Sequence, residues 1–295
     1  PRTPLETNMQ DLNGKVAVIT GGASGIGLGL ARRFAAEGMK LALVDIEADA
    51  LDVAAKELKA NGADVLTTTV DVSNADQMDR LGKSVLDHFG GVHLVCNNAG
   101  VGSGGPMWEL RREDWEFVMG PNLWGVIHGV RVFTKAMIEQ NDGHIVNTAS
   151  MAGLMNVGGL GPYNVTKAGV VALSETLHHD LAEAASGVGV SVLCPGFVRT
   201  QIWDSERNRP DSLKAPEPKA TDEEIALMKS VMQGMFEKAM PTERVADRVL
   251  DAVVNRRFYI FTHESTNAAI EQRMGKMLRG EDPFAPQGGP EVFTK

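Results

Sequence analysis

The stretch "KVAVITGGASGIGLGLARRFAAEG", residues 15–38, decides the fold. Its opening run, "KVAVIT" (15–20), is β-branched and apolar without alternation, the pattern of a strand buried on both faces. Its closing run, "LGLARRFAAEG" (28–38), is an amphipathic helix that stops at Gly38, where a C-cap glycine belongs. Between them "TGGASGIG" (20–27) sets Gly21, Gly25 and Gly27 where the strand turns into the helix. Glycine permits positive φ there and lets the backbone approach a pyrophosphate, whose charge meets the positive end of the helix. The same residues also make a plain tight turn, so the rest of the chain has to decide.

Strand-like runs recur at 40–45, 64–70, 92–97, 143–150, 189–195 and 257–262, separated by helical stretches such as "EADALDVAAKELKANG" (47–62). Buried strands alternating with helices predict a mostly parallel sheet with right-handed crossovers. The expected fold class is therefore α/β: a single-domain, doubly wound (Rossmann) sheet of about seven strands with helices on both faces. Ligands of such sheets bind beyond the carboxyl ends of the strands. Asp45 ends the second strand eighteen residues past Gly27, close to the ~20 expected for a carboxylate that accepts both ribose hydroxyls of an adenosine. It would repel a 2′-phosphate, and no Lys or Arg stands at Ser24, Ile46 or Glu47 to welcome one. The cofactor read from these residues is NAD rather than NADP. Asp45 could also serve simply as a cap for the next helix.

With 43% hydrophobic and 23% charged residues the composition is that of an ordinary globular protein, long enough at 295 residues for a sizeable core. A formal charge of −9 argues against nucleic acid or an anionic membrane as partner. No apolar run reaches membrane-spanning length, and the expected location is cytoplasmic. Cys96 and Cys194 each lie in an apolar strand-like run and read as reduced core residues. The histidines are scattered without metal-ligand spacing, so no metal is expected. Residues 1–8 read as a leader or tag remnant before Met9, and 9–295 as one catalytic domain. Within it, 201–220 is polar and proline-rich, and a helix follows with a Thr221/Glu224 capping box and an apolar stripe of Ile225, Met228, Met232, Met235, Phe236 and Ala239. This insertion before the last strand, residues 201–240, is expected to be a substrate lid, because long irregular loops in compact domains usually carry function. Residues 263–295 are left as a C-terminal tail.

"GPYNVTKAGV" (161–170) puts one of only two tyrosines, Tyr163, four residues before Lys167. On a helix both leave the same face, and an ammonium beside a phenol favours phenolate. The pair could equally be structural.

In order along the chain stand "TGGASGIG", Asp45, "DVS" (71–73), "NNAG" (97–100), "NLWG" (122–125), Ser150, "YNVTK" (163–167) and "PGFVRT" (195–200). This ordered set resembles the short-chain dehydrogenase/reductase family over about residues 10–262, with Ser150 thirteen residues before Tyr163 as the family pattern has it. The resemblance implies strand order 3-2-1-4-5-6-7 and assigns Tyr163 as general acid/base. Ser150 would polarise the substrate oxygen. Lys167 would lower the Tyr163 pKa and hold the nicotinamide ribose, and Asn122 would position a water linking Lys167 to solvent. Pro121 departs from the β-branched residue usual before that asparagine. Asp71 and Val72 would flank the adenine, and Asn98, Ala99 and Gly100 would line the cofactor bed. Ser24 and Ile26 in the glycine turn, and Pro195, Gly196, Val198 and Thr200 in "PGFVRT", complete the set.

The substrate is expected over the nicotinamide between the segments after Ser150 and "PGFVRT", with walls from Met151, Leu154, Met155, Asn156, Phe197, Ile202 and Trp203. These side chains fit an apolar or aromatic secondary alcohol or ketone. "SERNRP" (205–210) and "FYIFTHEST" (258–266) resemble the subgroup that oxidises benzylic Cα alcohols of lignin-derived aryl ethers. Two other classes stay open: a nucleotide-sensing protein without turnover, and an isomerase or dehydratase on a related scaffold. Long apolar faces on helices near 113–139 and 162–186 point to a homodimer or homotetramer.

Overall fold

The apolar runs become seven strands: β1 (Val16–Thr20), β2 (Lys40–Asp45), β3 (Val65–Thr69), β4 (Leu94–Asn97), β5 (His144–Thr148), β6 (Gly189–Cys194) and β7 (Tyr259–Phe261). The structure is a computed structural model that describes residues 8–214 and 221–283. All but Asn8 of the expected leader, the middle of the expected lid and the end of the expected tail lie outside the described residues. The strands form one sheet of order β3-β2-β1-β4-β5-β6-β7, each pair parallel, as the resemblance implies. Each expected strand is present but one or two residues shorter at one or both ends, except β2, which matches. β5 and β7 each lose three residues, and β5 ends at Thr148, which leaves Ser150 in the loop beyond.

Successive residues of one strand enter different layers, which is why the runs read as continuously apolar. Ala17, Ile19, Leu41 and Leu43 pack under α1 (Gly25–Ala36), α2 (Ala48–Ala60) and a later helix, Thr242–Asn255. Val16, Val18, Ala42 and Val44 pack on the other face under α3 (Ala75–Phe89), together with Phe133, Met137 and Leu181. α4 (Arg112–Met119) runs through a π turn at Gly120–Trp124 into α5 (Gly125–Gln140), so the expected helix at 113–139 carries a bulge at Pro121. A proline has no N–H to bond back, and a wider turn accommodates that loss.

Beyond β5 come the short α6 (Ala152–Met155) and the long α7 (Gly161–Glu183), which Pro162 opens in its first turn. After β6 the chain makes 3-10 turns at Ile202–Asn208 and Asp211–Leu213, then α8 (Asp222–Glu237), α9 (Thr242–Asn255) and, past β7, α10 (Ser265–Leu278). The capping box at Thr221 and Glu224 is formed. The expected tail thus starts as a helix. Among the described residues no helix is long and apolar enough to cross a membrane, and both cysteines are buried and free.

Candidate active site

Every strand of a parallel sheet ends on the same edge, and here that edge opens into a cavity of about 570 Å³. The glycine turn forms one end. Gly25 takes φ +53°, and at Gly27 a Cβ would stand 1.9 Å from the Gly21 carbonyl oxygen, so only glycine lets α1 start this close to β1. Ser24 is the N-cap but makes no side-chain cap bond, and the first turn of α1 holds no acid. Its N–H groups and positive helix end are therefore left for an anion from outside.

Asp45 lines the same cavity, with Oδ2 accepting the Ala23 N–H at 3.0 Å and Oδ1 that of Glu47 at 3.1 Å. Asp71 and Val72 line it too. The Thr20 hydroxyl accepts the N–H groups of Asn98 (2.9 Å) and Ala99 (3.1 Å), while the Asn98 amide donates to Thr20 O and accepts from Thr148. Asn98 thus stitches the ends of β1, β4 and β5 into a floor. Uncapped helix, glycine turn and ribose-reaching carboxylate fit a dinucleotide. Gly21, Ser24, Gly25, Ile26, Asn98, Ala99, Gly100, Pro195, Gly196, Val198 and Thr200 all face this cavity.

Ser150, Tyr163 and Lys167 meet at the other end. The Ser150 loop is fixed by Ala149 N–H to Leu193 O (2.7 Å) and Met151 N–H to Pro195 O (3.0 Å), and Ser150 Oγ accepts the Ala152 N–H at 3.1 Å. The half-buried Tyr163 ring packs on Val101, Phe117 and Val118, and its phenol hydrogen-bonds Ser150. Lys167 is buried, donates to Thr148 O at 2.8 Å and lies 5.7 Å from the Tyr163 ring centroid. Burial pulls its pKa from 10.5 down to about 8. The expected lowering of the Tyr163 pKa by Lys167 is absent in the protein alone. Burial raises the phenol above its ordinary 10.0, and the Ser150 hydrogen bond opposes that rise. The ammonium sits over the ring and serves Thr148, so desolvation decides.

Asn122 is fully buried behind the cavity, not on its wall. Its amide closes a two-way pair with Val101, accepting its N–H at 2.7 Å and donating to its carbonyl at 2.9 Å. Nδ2 also reaches Thr166 Oγ1 at 3.5 Å, so both amide hydrogens are engaged and one lone pair of Oδ1 is left. Pro121 leaves this pair intact. A Cβ on Gly100 would lie 3.0 Å from Asn122 Oδ1 and 3.5 Å from Lys167 Nζ, so both groups border the same glycine.

Of the residues expected around a substrate, Met151, Phe197, Ile202 and Trp203 line the cavity, whereas Leu154, Met155 and Asn156 do not. Met155 is buried on the inner side of α6, Leu154 packs in the core under α7, and Asn156 is exposed as a left-handed C-cap at φ 52°. A single turn of helix after Ser150 sends alternate side chains away from the site. Phe117, Val157, Leu160 and Leu213 were missed, as no motif marks them; Met232 and Phe236 were legible only as an apolar stripe. Glu47, Arg207 and Asn208 also reach the cavity, at its adenosine end. Among the described residues no cluster of His, Cys, Asp or Glu could hold a metal ion.

A family model described as short chain dehydrogenase matches residues 15–211. The CLA biosynthesis dehydrogenase/reductase of Lactiplantibacillus plantarum is 34% identical over 277 residues, 93% of this chain and 97% of that protein. The C alpha-dehydrogenase of Sphingobium sp. strain SYK-6 is 32% identical over 286 residues, 96% of this chain and 91% of that protein, in keeping with the Cα-alcohol subgroup likeness. The crystal structure of a short chain dehydrogenase/reductase from Burkholderia phymatum in complex with NAD has a TM-score of 0.89 at 43% identity, covering 95% of this chain and 99% of that one. Ordered motifs, sheet order and full-length relatives agree: the chain belongs to the short-chain dehydrogenase/reductase family.

Proposed function

We propose that this oxidoreductase interconverts a secondary alcohol and a ketone, apolar or aromatic in the carbon skeleton, with NAD as its preferred cofactor. The observation that carries the reading is one cavity with Ser150, Tyr163 and Lys167 at one end and the glycine turn with Asp45 at the other. When bound there, the nicotinamide accepts or supplies the hydride. The chain's own groups handle the proton and the oxygen. Tyr163 Oη takes the alcohol proton in oxidation and returns it in reduction. The Ser150 O–H donates to the oxygen as its charge develops. Lys167, charged below about 8, gives the buried phenolate a neighbouring cation and holds the nicotinamide ribose. Asn122 fixes Val101 and with it the bed beneath Gly100. Apolar walls from Met151, Phe197, Ile202, Trp203 and Phe236 suit a neutral substrate.

Residues 201–240 act as a lid in this reading, supported by Ile202, Trp203, Met232 and Phe236 on the cavity wall. Residues 9–295 work as one catalytic domain. Exposed Trp124, Ile138 and Val165 on the α5 and α7 side support a homodimer or homotetramer. Two buried free thiols suit a reducing cytoplasm.

A panel of aryl and aliphatic secondary alcohols, assayed with NAD and with NADP, tests the assignment. Oxidation of aryl secondary alcohols with NAD is expected. Product formed without net change in NADH would instead favour isomerisation. Asp45→Asn, which removes the charge but keeps the shape, is expected to lower the NAD-over-NADP ratio of kcat/KM by about tenfold or more. An unchanged ratio would contradict the role given to Asp45.

A further inference from the structure

The segment from Thr200 to Leu213 crosses the cavity and is fastened on both of its walls. It starts with Thr200 against the glycine turn, where a Cβ on Gly25 would meet the threonine methyl at 3.2 Å. In the middle, the buried Ser205 hydroxyl accepts the Gly102 N–H at 2.8 Å and donates to Ile202 O at 2.7 Å. The next residues part to opposite sides. Arg207 donates from Nε (3.2 Å) and Nη2 (2.9 Å) to Glu47 Oε1, and Asn208 Nδ2 joins the same oxygen at 2.8 Å. The remaining Arg207 nitrogen, Nη1, binds the carbonyls of Gln201 (3.0 Å) and Asp204 (2.8 Å), which sets the backbone on either side of Ile202 and Trp203. Arg209 turns to the other wall. It meets Asp114 at 3.0 Å and Glu206 at 2.6 Å and stacks 4.2 Å over Phe117 of α4.

The two fastenings are unequal. The Arg209 side chain is only 5% exposed, with two carboxylates and an aromatic face around it. Arg207 and Glu47 keep 27% and 31% exposure and share a single carboxylate oxygen. Charge pairs open to water hold less firmly than buried ones with several partners. The Glu47 side is the less firmly held of the two. Glu47 is also tied to the cofactor end, since its N–H donates to the Asp45 carboxylate.

We propose that Glu47, Arg207 and Asn208 form a clasp that holds the substrate loop across the cofactor cleft and sets the rate at which cofactor leaves. The three are positioning residues. They act through the loop that carries Ile202 and Trp203, and the inference rests on the reading of the cleft as a dinucleotide site. Closing the clasp sets the wall of the substrate end from the adenosine end. Opening it frees one edge of the strap that spans the cleft.

NADH fluorescence in stopped flow, with the full-length protein, tests this. Glu47→Gln and Arg207→Met are each expected to speed NADH dissociation about tenfold, with little change in association, because the clasp closes over cofactor already bound and so acts on the off-rate. Arg207→Lys should fall between. The double variant should be no faster than either single one, as both remove the same contact. Thermal midpoints of the unliganded variants should stay within a few degrees of wild type, which a merely structural role would not allow. Should Arg207→Met fail to fold, Glu47→Gln and amide exchange of residues 201–208 in the wild type, slowed by NADH, carry the test. NADH bound by wild type and released equally fast by the variants would overturn the clasp alone. A wild type that binds no NADH would overturn the dinucleotide reading, and the clasp with it.

Discussion

Tyr163→Phe is expected to lower kcat by about 10³-fold while NADH affinity stays within about twofold of wild type, the loss being that of a positioned general acid/base. The ring's packing on Val101, Phe117 and Val118 survives the substitution, so the fold and the cavity walls stay in place. What disappears is the only phenol in the cavity, together with its hydrogen bond to Ser150. Burial holds that phenol above 10.0 in the protein alone, so at neutral pH it begins as an acid, ready to protonate a ketone oxygen. Acting as a base in oxidation needs added positive charge nearby, from Lys167 and from the oxidised nicotinamide. The alcohol-oxidation rate should therefore rise with pH, and the ascending limb should vanish in the variant. Retained turnover in Tyr163→Phe would contradict the assignment.

Lys167→Met should cost about 10²-fold in kcat and also weaken NADH binding, since one ammonium is asked both to favour phenolate and to hold a ribose. Stability separates this from damage to the fold. Folding lowers the Lys167 pKa from 10.5 to about 8, so between these values the unfolded chain binds the proton and the folded chain does not. Lys167 then contributes a rise in stability with pH across that window, because at this group the unfolded state holds more protons. Below about 8 both states are charged and the full penalty of burying the ammonium is present. Lys167→Met removes the penalty and the rise together. Chemical denaturation across the window should show a more positive slope in wild type than in the variant, since the downward contribution of the buried thiols Cys96 and Cys194 is common to both. Equal slopes would mean that Lys167 is not buried as an ammonium.

The fold was legible because the apolar runs feed two layers at once, which a parallel sheet demands, and because the glycine turn and Asp45 fall at strand ends. Ser150, Tyr163 and Lys167 could be paired from an ordered pattern. The substrate walls could not. Met155 and Asn156 looked like neighbours of Ser150 in sequence, but one turn of α6 carries one into the core and the other to the surface. Phe117 and Leu213 come from distant segments that only folding brings near Tyr163. The burial of Tyr163 was hidden for a similar reason: spacing puts Lys167 on the same helix face, but it does not say that the ammonium is bound by Thr148 or how much water is lost. Arg207 carried no signal as a cofactor-side residue, since Glu47 is far from it in the chain.

The central claim is that Ser150 and Tyr163 act on one substrate oxygen, and single-turnover hydride transfer in Ser150→Ala, Tyr163→Phe and the double variant tests it most directly. Groups that serve one oxygen as a unit are not additive. The double variant is expected to be about as slow as Tyr163→Phe alone. Losses that multiply, or a Ser150→Ala enzyme as fast as wild type, would contradict the account.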